Sequence, residues 1–449
     1  MFMELPDYIK LPGYITAAIP FFFLFIGIEV FVAWLQRKKY YRFNDSINDL
    51  AAGMLQQVLG IFVGLIMILG YVYIWENWRM STWTGWAWLD SPRDLTQMTF
   101  SAFWIWAVLG FLANDHQYYW FHRLSHEINI IWGSHVAHHS SQEYNLTVAL
   151  RQGAFQRFFS YPFYLPLAFL GLHPVIYLAV SQINTLYQFW IHTRTFKKFP
   201  APIEWLFNTP SNHRVHHGVN PQYIDKNHAG TFMIWDRMYG TFEPEGEEVV
   251  YGITNPLNTW NPLWAQVHYF VEVWRLAVAA PKWRDKFKVW FMEPGWMPEG
   301  MGPHKTAPPV DPATFQKYDT TTPVGLNLYA LLQYIAATLG LLAMLGTFGA
   351  VALPAKVALG FLVVFTLTCL GLIHDGRRIT ILLEPMRLIL VAGGLAWLGT
   401  SSNNIALMVG ATAGAMSMGL WFLAYRSHFR KGGNRGSDLR DAVSVSLKS

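Results

Sequence analysis

The stretch GYITAAIPFFFLFIGIEVFVAWL at residues 13–35 decides the fold. A helix needs about 20 apolar residues to cross a bilayer core, and this run supplies them with Glu29 as its one charge. It is too long and begins too late for a secretory leader, and no basic segment precedes it. Working outward, runs of the same character occupy about 50–75 and 100–120. Two shorter apolar stretches lie within residues 158–191, interrupted by Gly171 and Pro174, the pattern of a helical hairpin. Residues 192–324 contain no comparable run, and four more follow at about 326–352, 357–373, 379–398 and 404–424. The expected fold is an all-α, polytopic integral membrane protein with about nine transmembrane helices, five before a polar segment and four after it.

Composition agrees. Of 449 residues 53% are hydrophobic and 14% charged, whereas a soluble domain carries about 25% charged residues. Disorder is excluded by 21 Trp, 21 Tyr and 32 Phe. A disulfide framework is excluded because Cys369 is the single cysteine. The expected organisation is a membrane domain over 1–324 that holds the chemistry, a four-helix membrane block over 325–432 and a loosely ordered basic tail over 433–449.

Lys and Arg in short flanks orient a membrane protein. Arg37, Lys38, Lys39 and Arg42 follow the first run, and Arg426, Arg430, Lys431, Arg435, Arg440 and Lys448 follow the last. Residues 76–99 instead carry Trp78, Trp83, Trp86 and Trp88 with only Arg79 and Arg93, which reads as an interfacial belt on the opposite side. Nine crossings with basic flanks inside place 122–156 and 192–324 in the cytoplasm, of a bacterial inner membrane or an endoplasmic reticulum. The net charge of +5 is then topological, and no basic, base-stacking pattern suggests nucleic acid. Trp260, Trp264, Trp274, Trp283, Trp290 and Trp296, interleaved with Arg275, Lys282, Arg284, Lys286 and Lys288, read as amphipathic helices in the headgroup plane.

Three histidine clusters fall on the expected cytoplasmic face: His122-Arg-Leu-Ser-His126, His135-Val-Ala-His138-His139 and His213-Arg-Val-His216-His217. Residues three or four apart share one helix face. His122 and His126 can therefore converge, as can His135 with His138 or His139, and His213 with His216 or His217. Eight imidazoles exceed what one ion uses and argue for two. Imidazole suits Fe, Zn, Cu and Ni, and the lack of nearby cysteine disfavours structural Zn and Fe–S centres. His192, at the end of the fifth apolar run, is the expected ninth ligand. His116 is off the face of His122, His228 lies in a loop, and His173, His268, His304, His374 and His428 have no ligand spacing and read as interfacial.

Metal-bound histidines need a partner for the other ring nitrogen. Asp115, two turns before His122 on the same face and costly if unpaired in an apolar helix, is expected to orient a histidine. Glu127, Asp225 and Asp236 are candidates for the same task or for plain ion pairs. Glu29 either reaches the site or pairs with a neighbouring helix.

These residues stand in a familiar order. Asp115-His-Gln-Tyr-Tyr-Trp-Phe-His122-Arg123, the HVAHH cluster followed by Ser-Ser, Asn145-Leu-Thr, Thr209-Pro-Ser-Asn-His213-Arg-Val-His216-His217, Ile224-Asp-Lys-Asn227, Trp235-Asp-Arg237 and Gly240-Thr-Phe together resemble the fatty acid hydroxylase / sterol desaturase superfamily over about 100–245. Arg37 to Gly53, with Asn44-Asp-Ser-Ile-Asn, is similar to the upstream flank. The second helical block, Pro294-Gly295-Trp296 and Lys317-Tyr318-Asp319 are most similar to the branch that cleaves ether-linked alkylglycerols. The resemblance implies two iron ions, O₂ and an external electron donor, which in that branch is tetrahydrobiopterin. No pterin-binding pattern is legible here. His228 departs from the aromatic residue that the resemblance leads one to expect after Asn227.

An unactivated C–H bond needs an oxidant that no side chain supplies, so the work falls to a metal with O₂. The expected activity is a lipid monooxygenase that draws its substrate from the bilayer, most similar to alkylglycerol ether cleavage. The same boxes serve sterol, acyl-chain and headgroup hydroxylases and desaturases. A metal transporter or sensor is disfavoured, because transporters place ligands at mid-membrane in broken helices and these clusters lie at helix ends.

Overall fold

The computed structural model describes residues 13–86, 95–346, 352–401 and 404–430. Among them the chain is helical, with two isolated β-bridges and no strand. Trp88, Arg93 and the basic tail from Lys431 lie outside the described residues.

Six helical stretches are long and apolar enough to cross a membrane: Tyr14–Leu35, Phe43–Thr84, Val324–Leu345, Leu353–His374, Thr380–Trp397 and Ile405–Ala424. The other three expected crossings are also helices. Phe100–Glu127 takes the place of the third, and the hairpin is Gln156–Phe169 with Pro174–Trp190. Its arms of 14 and 17 residues reach about 21 and 26 Å at 1.5 Å per residue, short of the roughly 30 Å hydrocarbon core.

The chain divides into two compact units. One comprises 1–41, 59–255 and 266–315; the other comprises 42–58, 256–265 and 316–449.

In the first unit the hairpin turn explains its own sequence. Gly171 takes φ +91°, a region open to glycine. The His173 side chain caps the second arm by accepting from Val175 N, with Pro174 at the first helical position. The turn carbonyls that no helix can satisfy are met by Trp75 Nε1 on Gly171 O at 3.1 Å and Tyr71 Oη on Leu172 O at 3.0 Å. Tyr71, Val72 and Trp75 pack with Tyr164, Leu167 and Ile176 in one buried core. His173 is thus a buried cap rather than an interfacial residue. His268 is buried as well.

The amphipathic segment forms helices Pro262–Ala279 and Trp283–Phe291. Trp274, Trp283, Phe287 and Phe291 are exposed while Asp285 and Val289 point inward. The expected Trp set is therefore mixed, because Trp260 is buried. Trp78, Trp83 and Trp86 are exposed, as a belt requires.

In the second unit a buried ion pair joins helices. Arg387 bonds Glu384 and Gln333 Oε1, the latter at 2.9 Å, and Tyr329 donates to Glu384. A pair this deep is tolerable only because its members satisfy one another. Asp375 accepts from Trp260 N at 2.8 Å and Tyr318 Oη at 3.0 Å, and from Thr259. His374 is buried beside Phe43, again not interfacial.

Candidate metal centre

All nine nominated histidines fall in the first unit and are buried. Helix Phe100–Glu127 carries His122 and His126 a turn apart. Helix Asn129–His139 carries His135, His138 and His139. His192 follows the end of Pro174–Trp190. Helix Pro210–His216 carries His213 and His216, with His217 at its C-cap. Its start is set by Thr209, whose side chain accepts from Asn212 N, and by Pro210.

The imidazoles gather into two groups: His122, His126, His135, His139 and His216, and His138, His192, His213 and His217. Within each group one nitrogen per ring lies within 4.8 Å of all the others. Neighbours in sequence part company. Successive helical residues are about 100° apart, so His135 and His139 turn one way and His138 the other. His213 and His217 likewise separate from His216. The groups adjoin, since the His139 and His217 rings stack with centroids 4.3 Å apart.

Ring tautomers follow from the partners. A carbonyl only accepts, so a ring nitrogen facing one must carry the proton. His122 Nδ1 donates to His228 O at 2.7 Å, His138 Nδ1 to Arg151 O at 2.7 Å, His192 Nδ1 to Gln188 O at 2.7 Å and His216 Nδ1 to Lys226 O at 3.0 Å. Each of those Nε2 atoms then presents a lone pair. His122 and His135 Nε2 stand 3.0 Å apart, and His138 and His192 Nε2 stand 3.3 Å apart. His126, His216 and His217 Nε2 are buried without a hydrogen-bond partner, a cost of about 1–3 kcal/mol each. Lone pairs pointed at one another in a dry interior are the donor set of a cation, and these residues fit two ions.

Burial, reinforced by the neighbouring imidazoles, holds His126, His139, His216 and His217 well below the ordinary histidine range. His138 is lowered to about 4, chiefly by burial. The rings are neutral at pH 7, the state a metal ligand needs. The sign follows from proton counting. Between about pH 4 and 6.5 the unfolded chain binds more protons than the folded one, so stability rises with pH across that window. The metal-free protein is therefore expected to lose thermal stability as pH falls from 6.5 towards 4. A melting series in one detergent checks this, and a flat profile would contradict it.

The acids stand one step behind the rings. Asp115 bonds no histidine ring directly: its carboxylate accepts from Asn184 Nδ2 (2.9 Å), Thr231 N (2.8 Å), Phe232 N (3.0 Å) and Trp235 Nε1 (2.9 Å). Asp236 accepts from His228 N and Ala229 N, both at 2.8 Å. Together they fix the loop whose carbonyls at 226 and 228 receive His216 and His122. Asp225 and Asn227 reach φ +56° and +57°, the left-handed region that Asp and Asn tolerate, as the chain presents the Lys226 carbonyl. Asp225 Oδ1 lies 3.8 Å from His126 Nδ1, and Glu127 pairs with Arg123 at 2.8 Å. Glu29 bridges elements beside His192, accepting from Leu146 N at 2.9 Å and from Tyr41, Thr193 and Thr195 hydroxyls. His116 turns away to Tyr239 Oη at 2.8 Å.

Other site residues carried no sequence signal. Gln156 Oε1 faces His135 Nδ1 at 3.1 Å. The buried Arg151 holds Ala137 O at 2.6 Å and Ser140 Oγ at 2.7 Å, securing the C-terminal end of the His135–His139 helix. Gly153 passes so close that a Cβ would sit 1.8 Å from Ser134 O.

Fold and site define a helical membrane protein built round a paired histidine centre. Residues 107–241 match the family described as Fatty acid hydroxylase. An alkylglycerol monooxygenase of Xenopus tropicalis is 39% identical over 385 residues, covering 84% of this chain and 81% of that protein. The Homo sapiens alkylglycerol monooxygenase is 39% identical over 390 residues, 86% of this chain and 81% of that protein. An ornithine lipid hydroxylase, OlsE, of Rhizobium tropici is 27% identical over 150 residues, 33% of this chain and 45% of that protein. No solved structure matches. The chain belongs to the alkylglycerol monooxygenase family of the fatty acid hydroxylase superfamily. It is an integral membrane lipid monooxygenase, and lipid and O₂ are its reactants.

Proposed function

We propose that the chain cleaves the O-alkyl bond of alkylglycerol lipids, with two iron ions held by the nine histidines and an external two-electron donor of the pterin class. The observation that carries this reading is the nine buried neutral imidazoles with their free nitrogens gathered in two groups, in a chain similar over most of its length to proteins named for that activity. The ornithine lipid hydroxylase matches 33% of this chain, whereas the Xenopus tropicalis and Homo sapiens alkylglycerol monooxygenases match 84% and 86% of it. The expected organisation stands as part of the proposal: 1–324 for chemistry, 325–432 as a membrane block, 433–449 as a tail. So does a cytoplasmic site, supported by the basic flanks after the first and last runs.

When bound, the iron pair supplies activation of O₂. The chain's own contribution is preorganisation. The bonds from Nδ1 to backbone carbonyls hold His122, His138, His192 and His216 each in one tautomer, and burial keeps the rings neutral and water away. Asp115 and Asp236 keep the 226–232 loop from relaxing, and Glu29 ties Thr193 beside His192 to the first helix. In balance, the ether-linked CH₂, O₂, two electrons and two protons give a hemiacetal and water. The hemiacetal then breaks its C–O bond to give an aldehyde and a free glycerol hydroxyl.

The test is mass spectrometry of lipids from cells with and without the protein, fed labelled ether lipid under ¹⁸O₂. One ¹⁸O in the aldehyde, trapped by reduction, is expected. An ether left intact, with ¹⁸O in a headgroup or acyl chain, would overturn ether cleavage and assign a hydroxylase of another lipid.

A further inference from the structure

His228 belongs to neither histidine group, yet its ring sits among them. It is 0% exposed, and neither ring nitrogen makes a hydrogen bond. The Asp225 carbonyl stands near the ring, short of hydrogen-bond geometry. Its centroid lies 5.2 Å from that of His126, 5.6 Å from His216 and 5.9 Å from His122. Within the five-histidine group the centroid spacings run from 4.3 Å for His122 and His216 to 5.4 Å for His122 and His126, so the His228–His126 distance falls in that range and the other two lie just outside it. Packing does not explain an imidazole here. A phenyl ring would fill the space without leaving two buried polar atoms unpaired. Nor does the loop need the side chain. The backbone N–H of residue 228 bonds Asp236 and its carbonyl receives His122 Nδ1, contacts any residue would make.

We propose that His228 is a tenth metal-directed histidine, which supplies a sixth imidazole to a divalent first-row ion in the five-histidine group. The inference rests on the reading that the two groups hold metal. Five imidazoles leave one place on a six-coordinate ion, and His228 is the buried ring beside the group with nitrogens to spare. The two ions are then unlike. The first is closed by protein ligands, and the four-histidine group keeps the places open to exogenous ligands.

The test uses the full-length protein in detergent, stripped and reloaded with Co²⁺ alone. Imidazole binds Co²⁺ well, and six-coordinate Co²⁺ absorbs visible light far more weakly than four- or five-coordinate Co²⁺. In His228→Phe two Co²⁺ per chain are still expected, with severalfold stronger visible bands. One of the two ions should pass to a chelator about tenfold faster or more. An unchanged spectrum and release rate in that variant would overturn the role of His228 and leave the metal-site reading intact. A wild-type chain that takes up no Co²⁺ would overturn the metal site itself. Should His228→Phe not fold, the wild-type spectrum decides: two ions both of the strongly absorbing kind would overturn the proposal.

Discussion

Replacing His138 by alanine is expected to abolish lipid oxidation and to remove metal from the four-histidine group. His138 Nδ1 is held by the Arg151 carbonyl at 2.7 Å, and its Nε2 points at His192 Nε2, 3.3 Å away. Truncation leaves His192, His213 and His217 with one donor fewer and with water admitted to a dry site. Residues that merely orient a ligand typically cost 10–100-fold in affinity, so loss of a ligand should exceed about 100-fold. Elemental analysis and turnover, measured on the same preparation, should fall together. His116→Ala is the contrast, because His116 bonds Tyr239 rather than either group. It should keep its metal and most of its activity. Full activity in His138→Ala would refute the assignment of the site.

Asp115→Ala should carry the second largest effect, though Asp115 touches no imidazole. Its carboxylate is fully buried and serves four donors, two of them the backbone N–H groups of Thr231 and Phe232. Removing it strands those donors, at a cost of about 3–5 kcal/mol. The loop should then lose its register, and with it the 228 carbonyl that holds His122. Lower melting temperature and faster metal release to a chelator are expected together. Asp115→Asn keeps one accepting oxygen and should be milder. Gly230 sits against this carboxylate, where a Cβ would lie 2.8 Å from Asp115 Oδ1, so there is little slack to absorb the change. Destabilisation in Asp115→Ala with metal release unchanged would show that the loop does not position His122.

Much of the fold was legible in the chain because membrane helices and histidine boxes are written in local spacing. The apolar run at 13–35 is a helix over Tyr14–Leu35, and the break at Gly171 and Pro174 is the hairpin turn. His122 with His126 could be paired by helical period alone, and the structure brings the two together, whereas helical period leaves His216 and His217 equally open as the partner of His213 and the structure gives it His217. The choice between His138 and His139 as the partner of His135 could not be read. Both lie within a turn of it, and only the placement of the surrounding helices settles that His139 joins it. The direct partners of the rings were hard to read for a related reason. A carboxylate is conspicuous in a sequence, whereas the groups that receive the ring N–H are mostly backbone carbonyls, which every residue carries and no sequence marks. By itself, then, the sequence determined the helical membrane character and the histidines available to a metal, because both depend on contacts within a few residues. Tertiary structure alone decided how nine histidines divide into five and four, which carbonyls hold them, and that His228 lies beside the first group, because these depend on segments distant in the chain.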